Sequence, residues 1–294
     1  DHWDFDRVHR EARARWNAEL NKIAVDMPSE ARMTVFYTAL YHAMLAPNMF
    51  MDVDRGYRGI DGRRHAAGTS SNYTVFSLWD TFRALHPLLT ITHRALTADL
   101  VETLLGHFRH SGALPLWELW GNDTKTMIGN PAVPVIVDAM LKGIPVDTAT
   151  AYDAVRHSAM QDDRGLGDYK RLGYVPSDAD PESVSKTLEY AYADWVIAQL
   201  AADLGQDADY AYFSGRAESY RNVFDLETGF MRPREASGRW APDFDPLNSA
   251  HRTNGYTEGN AWQYTWFVPH DVAGLVQLFG GPDAFEQKLD ELFT

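Results

Sequence analysis

Apolar residues recur at helical spacing through almost the whole chain, and no segment shows the strand–helix alternation that a doubly wound sheet requires. Between residues 5 and 23 they fall at Phe5, Val8, Ala12, Trp16, Leu20 and Ile23, with a charged opposite face. The same spacing predicts helices over 33–45, 75–89, 96–110, 134–142, 148–160, 183–204, 209–224, 271–279 and 283–293. Pro28-Ser29-Glu30, Pro47, Gly143, Gly205 and Gly280-Gly281-Pro282 supply the starts and stops. Between the helices lie irregular stretches at 49–72, 112–130, 162–181 and 229–246, the last with room for a short hairpin, and a polar-aromatic cluster at 255–267. Loops of that length in a compact domain tend to carry function. Helix pairs joined by short turns and separated by long loops suit a helical toroid whose loops collect around a central cleft. A helical solenoid is the alternative, and the chain shows no internal repeat of that kind.

Composition narrows the function. With 45% hydrophobic and 23% charged residues over 294 positions the chain is globular. A formal charge of -14 argues against a nucleic-acid partner, which would need the opposite balance. Cysteine is absent, which removes disulfides, thiolate metal sites and a Cys nucleophile, and leaves the redox compartment open. No apolar run is long enough to span a bilayer, so no membrane partner is expected. The start, Asp1-His2-Trp3-Asp4, has no signal-peptide character and reads as the middle of a longer protein. Aromatic residues make up 13%, including 9 Trp. Such rings build large cores, and they also stack on the apolar faces of sugars.

Three clusters are candidates for chemistry. In Tyr256-Thr257-Glu258-Gly259-Asn260-Ala261-Trp262-Gln263-Tyr264, a carboxylic acid enclosed by rings would be partly desolvated. That favours its neutral form and suits a general acid. The same string also reads as a plain helix start, with Thr257 capping and Glu258 meeting the helix dipole. In Trp79-Asp80-Thr81-Phe82-Arg83, Asp80 and Arg83 share a helix face, either as an ion pair or as a sugar clamp with Trp79 as a stacking wall. In Trp117-Glu118-Leu119-Trp120-Gly121-Asn122-Asp123-Thr124, polar residues between two Trp suit sugar recognition or ordinary turn chemistry. Tyr57-Arg58-Gly59-Ile60-Asp61-Gly62 is a weaker fourth. His107 and His110 share a helix face without a carboxylate to complete a metal triad, and read as surface or cap residues. The pairs Asp52/Asp54, Asp162/Asp163 and Asp243/Asp245 read as solvated turns.

The runs FYTALYHAMLAPNMFMDVD at 36–54, YTVFSLWDTFRALHPLLT at 73–90, LPLWELWGNDT at 114–124, VSKTLEYAYADW at 184–195, TEGNAWQY at 257–264 and FVPHDVAGL at 267–275 resemble the bacterial alpha-mannosidases of glycoside hydrolase family 92. The likeness extends in uninterrupted order from about Phe5 to Phe293. It implies an all-α, (α/α)6 toroidal catalytic domain, preceded in the family by a β-sandwich. It implies removal of alpha-linked mannose from glycans with inversion, and a calcium requirement, the ion gripping two ring hydroxyls. It places the general acid on Glu258. It implies that Asp80 and Arg83 contact the terminal mannose, and that Trp117, Glu118 and Asn122 line the same pocket. The calcium ligands are left unassigned. It also implies a secreted, periplasmic or cell-surface protein.

Residues 1–294 correspond to the N-terminal part of such a toroid. The Asn-Glu-Pro-Ser-His-His-like and Asp-Glu-Asp-Asn-Gly-like runs of the family, the second carrying the general base, are expected beyond Thr294. On that expectation the toroid is incomplete at its C-terminal end, its open apolar faces favour association, and the chain alone is inactive or nearly so. The other reading of the sequence is a non-catalytic helical carbohydrate-binding or scaffold module. Calcium titration and Glu258→Gln separate the two.

Overall fold

In a computed structural model, residues 3–250 and 253–294 are described; Asp1 and His2 at the start of the chain, and His251 and Arg252, lie outside them. Helices α1 (Phe5–Leu20) and α2 (Glu30–Ala43) come first, followed by strands β1 (Asn48–Met49), β2 (Gly56–Arg58), β3 (Arg64–Ala66) and β4 (Tyr73–Thr74). Then come α3 (Leu78–Thr81), α4 (Leu85–Thr92), α5 (Arg94–Ser111), α6 (Ala132–Leu141), α7 (Thr148–Met160), α8 (Leu166–Leu172), α9 (Ser183–Asp203) and α10 (Asp207–Ala217). A 3-10 turn over Glu218–Val223 leads into β5 (Phe224–Asp225) and β6 (Phe230–Met231). The last helices are α11 (Ala261–Tyr264), α12 (Val272–Leu278) and α13 (Pro282–Glu291). The chain is all-α apart from short antiparallel strand pairs, β1 with β4, β2 with β3 and β5 with β6, and it follows the toroidal plan.

Side chains supplied by the sequence start several of these helices. Asp4, Ser29, Asp147 and Asp271 each accept a hydrogen bond from the backbone N–H three residues on, satisfying a donor that the first turn leaves free.

Helix α9 is the centre of the packing. It lies against α6, α7 and α10 and buries most of its length. A helix buried over most of its surface must be enclosed by others. Trp195 is the main exposed ring of α9, and Ala191, Ala193, Ala198 and Ala201 let its neighbours approach. Its C-terminal half, with Val196, Ile197 and Leu200, joins α4 to α7 in one core. Its N-terminal half, with Val184 and Leu188, joins Tyr220, Phe230, Met231, Tyr256 and Tyr264 in a second. By contrast α1 buries none of its residues.

The structure departs from the sequence reading in three places. The helix expected over 75–89 is broken into α3 and α4. Pro87 has no N–H to donate, and its ring would collide with the Arg83 carbonyl in a continuous helix, so α4 starts afresh two residues before it. The expected loop at 162–181 contains α8, enclosed by Gly165 and Gly173. The helix expected over 209–224 starts at Asp207 and gives way to the 3-10 turn. Within 229–246 the expected short hairpin forms as an antiparallel bridge between Arg234 and Trp240, and the β5–β6 pair precedes it.

Candidate active site

Glu118 organises the first half of the site from inside. Its carboxylate has no solvent contact. One oxygen accepts from Thr74 Oγ1 at 3.0 Å and from the Gly121 N–H at 2.6 Å, and the other from the Val75 N–H at 3.1 Å. Burial pushes its pKa up to about 7, against the pull of those three donors. This corrects the expectation that Glu118 lines a sugar pocket: its oxygens are spent holding loop 112–130 to the segment that enters α3. Val75, at the hinge of that segment, is held at a φ of 66°. Of its loop neighbours, Asn122 is exposed at a turn and Trp117 is half-buried. Asp123 accepts from the N–H groups of Trp117 and Lys125, each at 3.1 Å.

The segment so positioned presents Trp79, Asp80 and Arg83. Spacing offered Asp80 as the partner of Arg83, but Asp80 instead accepts from the Ser77 hydroxyl and stays exposed. The carboxylate that meets Arg83 belongs to Glu189, 106 positions away in the middle of α9, at 2.7 Å. The Trp79 indole N–H donates to the same Glu189 oxygen at 3.1 Å. The guanidinium also lies over the rings of Trp79, Phe82 and Phe267, at 4.8, 4.5 and 4.8 Å. Sequence reading passed over Glu189. The signal was a carboxylate flanked by Leu188 and Tyr190 in a long helix, which when buried needs a partner.

Glu258 stands at a sharp corner. Its φ is 47°, a left-handed value that costs a side-chain-bearing residue about 1–2 kcal/mol. Both flanks are fixed. On one side the Thr257 N–H donates to Ser185 Oγ at 3.0 Å, and the Thr257 carbonyl accepts from the Tyr264 hydroxyl at 2.8 Å. On the other, Asn260 and Gln263 form a reciprocal capping box that starts α11. The helix-start reading was therefore right about α11, with Asn260 rather than Thr257 as its cap. The expected ring enclosure is absent: Tyr256 and Tyr264 pack into the second core, Trp262 stacks edge-on against Phe230, and Glu258 is exposed.

The two halves meet on α9. Ser185 holds the Glu258 corner and Glu189 holds Arg83 and Trp79. They are four residues apart, one helical turn, with a rise of about 6 Å. Together they present an exposed acid, an anchored cation and an indole, a set suited to a polyhydroxylated ligand with a bond to be protonated.

Histidine plays no part in this face. His107, expected at the surface, is buried, and both its ring nitrogens lack partners; His110 stacks on His65 at 3.7 Å between ring centres. Among the described residues no three His, Asp or Glu side chains converge to hold a metal ion. Calcium also takes backbone and amide carbonyls and water, so the ion that the resemblance implies has no assigned ligands on this face. No helix is long and apolar enough to cross a membrane among the described residues.

Comparison with known proteins follows the same lines. The sequence matches the glycosyl hydrolase family 92 catalytic domain over residues 1–294. A family GH92 alpha-mannosidase from Bacteroides thetaiotaomicron superposes with a TM-score of 0.95 at 42% identity, covering 100% of this chain and 39% of that one. The same enzyme has been solved in complex with mannoimidazole. A second protein from that organism, described as a family GH92 inverting mannosidase, gives a TM-score of 0.91 at 34% identity, over 98% of this chain and 40% of that one. A curated protein of Arthroderma benhamiae, named an uncharacterized secreted glycosidase, is 26% identical over 99% of this chain and 38% of its own length. The chain thus spans about two fifths of the length of these relatives.

Proposed function

This chain belongs to glycosyl hydrolase family 92, and on that premise we propose that the protein removes terminal alpha-linked mannose from glycans with inversion at the anomeric carbon. The observation that carries the reading is Glu258. A residue with a Cβ is kept in a strained left-handed turn, clamped on both sides, where glycine would sit without cost. Such residues cluster at active sites, and of the nine non-glycine residues with positive φ among those described, Glu258 is the one in the motif where the family resemblance places the general acid.

In the proposed reaction, water attacks the anomeric carbon from the face opposite the leaving group. The bond from that carbon to the glycosidic oxygen breaks, and Glu258 delivers its proton to that oxygen. A base on the far side takes the proton of the water, with the two carboxyl groups about 6.5–9.5 Å apart to admit it. That base is assigned to no residue of this chain. Arg83 and Asp80 would bind hydroxyls of the terminal sugar, and Trp79 would cover an apolar ring face. Asn122 and Trp117 would line the same pocket, with the buried Glu118 holding their loop from behind. Calcium, when bound, would supply a hard cation that grips two hydroxyls of the ring. The proposed setting is an exported protein, in keeping with the name of the fungal relative.

The test is hydrolysis of an alpha-mannoside by the full-length protein, with proton NMR of the first product. Inversion gives beta-mannose before mutarotation. Glu258→Gln should lower the rate about 10²–10⁴-fold on an alkyl mannoside. The loss should be much smaller on an aryl mannoside whose phenol leaves without a proton. Absence of hydrolysis, alpha-mannose as first product, or an active Glu258→Gln would each overturn the proposal.

A further inference from the structure

We propose that Glu189 is a positioning residue for the sugar face: it fixes Arg83 and Trp79 as one unit, so that the guanidinium and the indole meet a sugar in a preset arrangement. This rests on the reading of the site as a mannoside-binding face. Both donors converge on one oxygen, Oε1, at 2.7 and 3.1 Å. The Glu189 side chain is 3% exposed and that of Arg83 34%, so the carboxylate holds the cation from beneath while the rest of the guanidinium reaches solvent. Arg83 Nε also donates to the Trp79 carbonyl at 3.1 Å, closing a small ring of contacts between the two residues.

The fold makes room for this carboxylate. Gly129, at a φ of 78°, passes so close that a Cβ there would lie 3.0 Å from Glu189 Cβ. A charge so deeply buried is costly unless paired, and removing one partner strands the other. Arg83 and Glu189 therefore act together. The pair is also more than a staple between elements: an apolar pair would close that gap at less desolvation cost, whereas a half-exposed guanidinium backed by a buried carboxylate keeps a fixed cation at the surface.

The pair carries a pH dependence. Burial pushes the Glu189 pKa up to about 6, against the pull of Arg83. The other groups facing it are the phenols of Tyr190 and Tyr192 on α9 and of Tyr264 on α11. Burial raises all three, so they stay neutral across this range. As pH falls through about 6, Glu189 takes up a proton, the counter-charge is lost and Arg83 is released.

The experiment uses the full-length protein with methyl alpha-mannoside, a probe whose own charge does not vary with pH. Binding is followed by calorimetry between pH 5 and 8, and KM and kcat are measured in parallel. Wild type should lose affinity as pH falls through about 6. Glu189→Gln should bind about 10–100-fold more weakly at pH 7.5, as expected for a lost charge-assisted contact. It should show a raised KM with kcat changed less than about threefold, and no acid limb. In an Arg83→Gln background, Glu189→Gln should weaken binding by less than about twofold further, since most of its effect runs through the guanidinium and the amide oxygen left by the substitution can still accept from the Trp79 indole. Trp79→Phe, which keeps the ring and removes the donor, gives a milder variant that tests the same contact. Unchanged affinity and an intact acid limb in Glu189→Gln would overturn the positioning role, as would additive losses in the double variant. If wild type itself neither binds nor cleaves the mannoside, the reading of the site fails and this role falls with it.

Discussion

Replacing Glu258 by glycine should stabilise the protein while abolishing its hydrolysis. At a φ of 47° a residue with a Cβ carries a penalty of about 1–2 kcal/mol that glycine does not. Glycine gives back about 0.4–1 kcal/mol through the greater freedom of its unfolded chain. The side chain loses little else on removal, since it is exposed and the clamp at Thr257 and the capping box at Asn260 run through other residues. The net gain is about 1 kcal/mol. For 294 residues, at about 2.1 cal/mol/K of unfolding entropy per residue, that is a rise in Tm of about 1.6 °C. Glu258→Ala keeps the strain and removes the carboxyl, so it separates backbone from acid. Differential scanning calorimetry of the two variants beside wild type, with mannoside hydrolysis in the same samples, is the assay. Glycine above wild type and alanine at or below it, both with activity down by at least about 10²-fold, is the expected pattern. If glycine stabilises no more than alanine, the corner stores no strain and the argument from backbone to function fails.

Other perturbations follow from buried groups. His86 is buried with both ring nitrogens unpartnered, stacked on Phe76, and burial pushes its pKa down to about 4. The unfolded chain takes up that proton near 6.5, so stability is lost as pH falls from about 6.5 towards 4. In His86→Phe the loss should shrink, as seen by urea melts at pH 5 and 7.5. Glu118→Ala leaves the Thr74 hydroxyl and the Val75 and Gly121 N–H groups without their acceptor, and should cost about 1–3 kcal/mol in the same melts. Arg216 donates to Asp194 at 2.9 Å in a pair that is almost fully buried, so Arg216→Met should cost about 3–5 kcal/mol. On the proposed calcium requirement, a chelator should stop hydrolysis by the full-length protein and added calcium should restore it; hydrolysis that survives chelation removes calcium from the proposal.

Local features of the fold were legible, and distant partnerships were not. The 3.6-residue spacing gave α7 to the residue and most other helices within a few positions, because each buries one stripe against neighbours. The break between α3 and α4 was also written locally, in Pro87, but a continuous apolar pattern across 75–89 masked it. Glu118 looked like a ligand contact because it sits between two Trp. Its true partners, Thr74 and Val75, come from more than 40 positions upstream. Asp80 was offered to Arg83 because the two are three apart, while Glu189 wins from 106 positions away. Spacing measures which groups can meet on one element; it carries no information about which element will lie opposite.

The position of α9 explains why the hidden partners sit where they do. A mostly buried helix holds a polar side chain at least cost where a neighbouring element satisfies it. On α9, Ser185 takes the Thr257 N–H, Glu189 takes Arg83 and Trp79, and Asp194 takes Arg216 and the Tyr169 hydroxyl. Each of these polar residues therefore fixes a different segment to one rigid rod. Two of those segments carry the exposed groups of the site, and the third ties α9 to α8 and α10 behind it. A shift of α9 by even part of a turn would break all three attachments together. The separation of the two anchors, Ser185 and Glu189, is thus set by the rise of a single helix rather than by the loops that they hold.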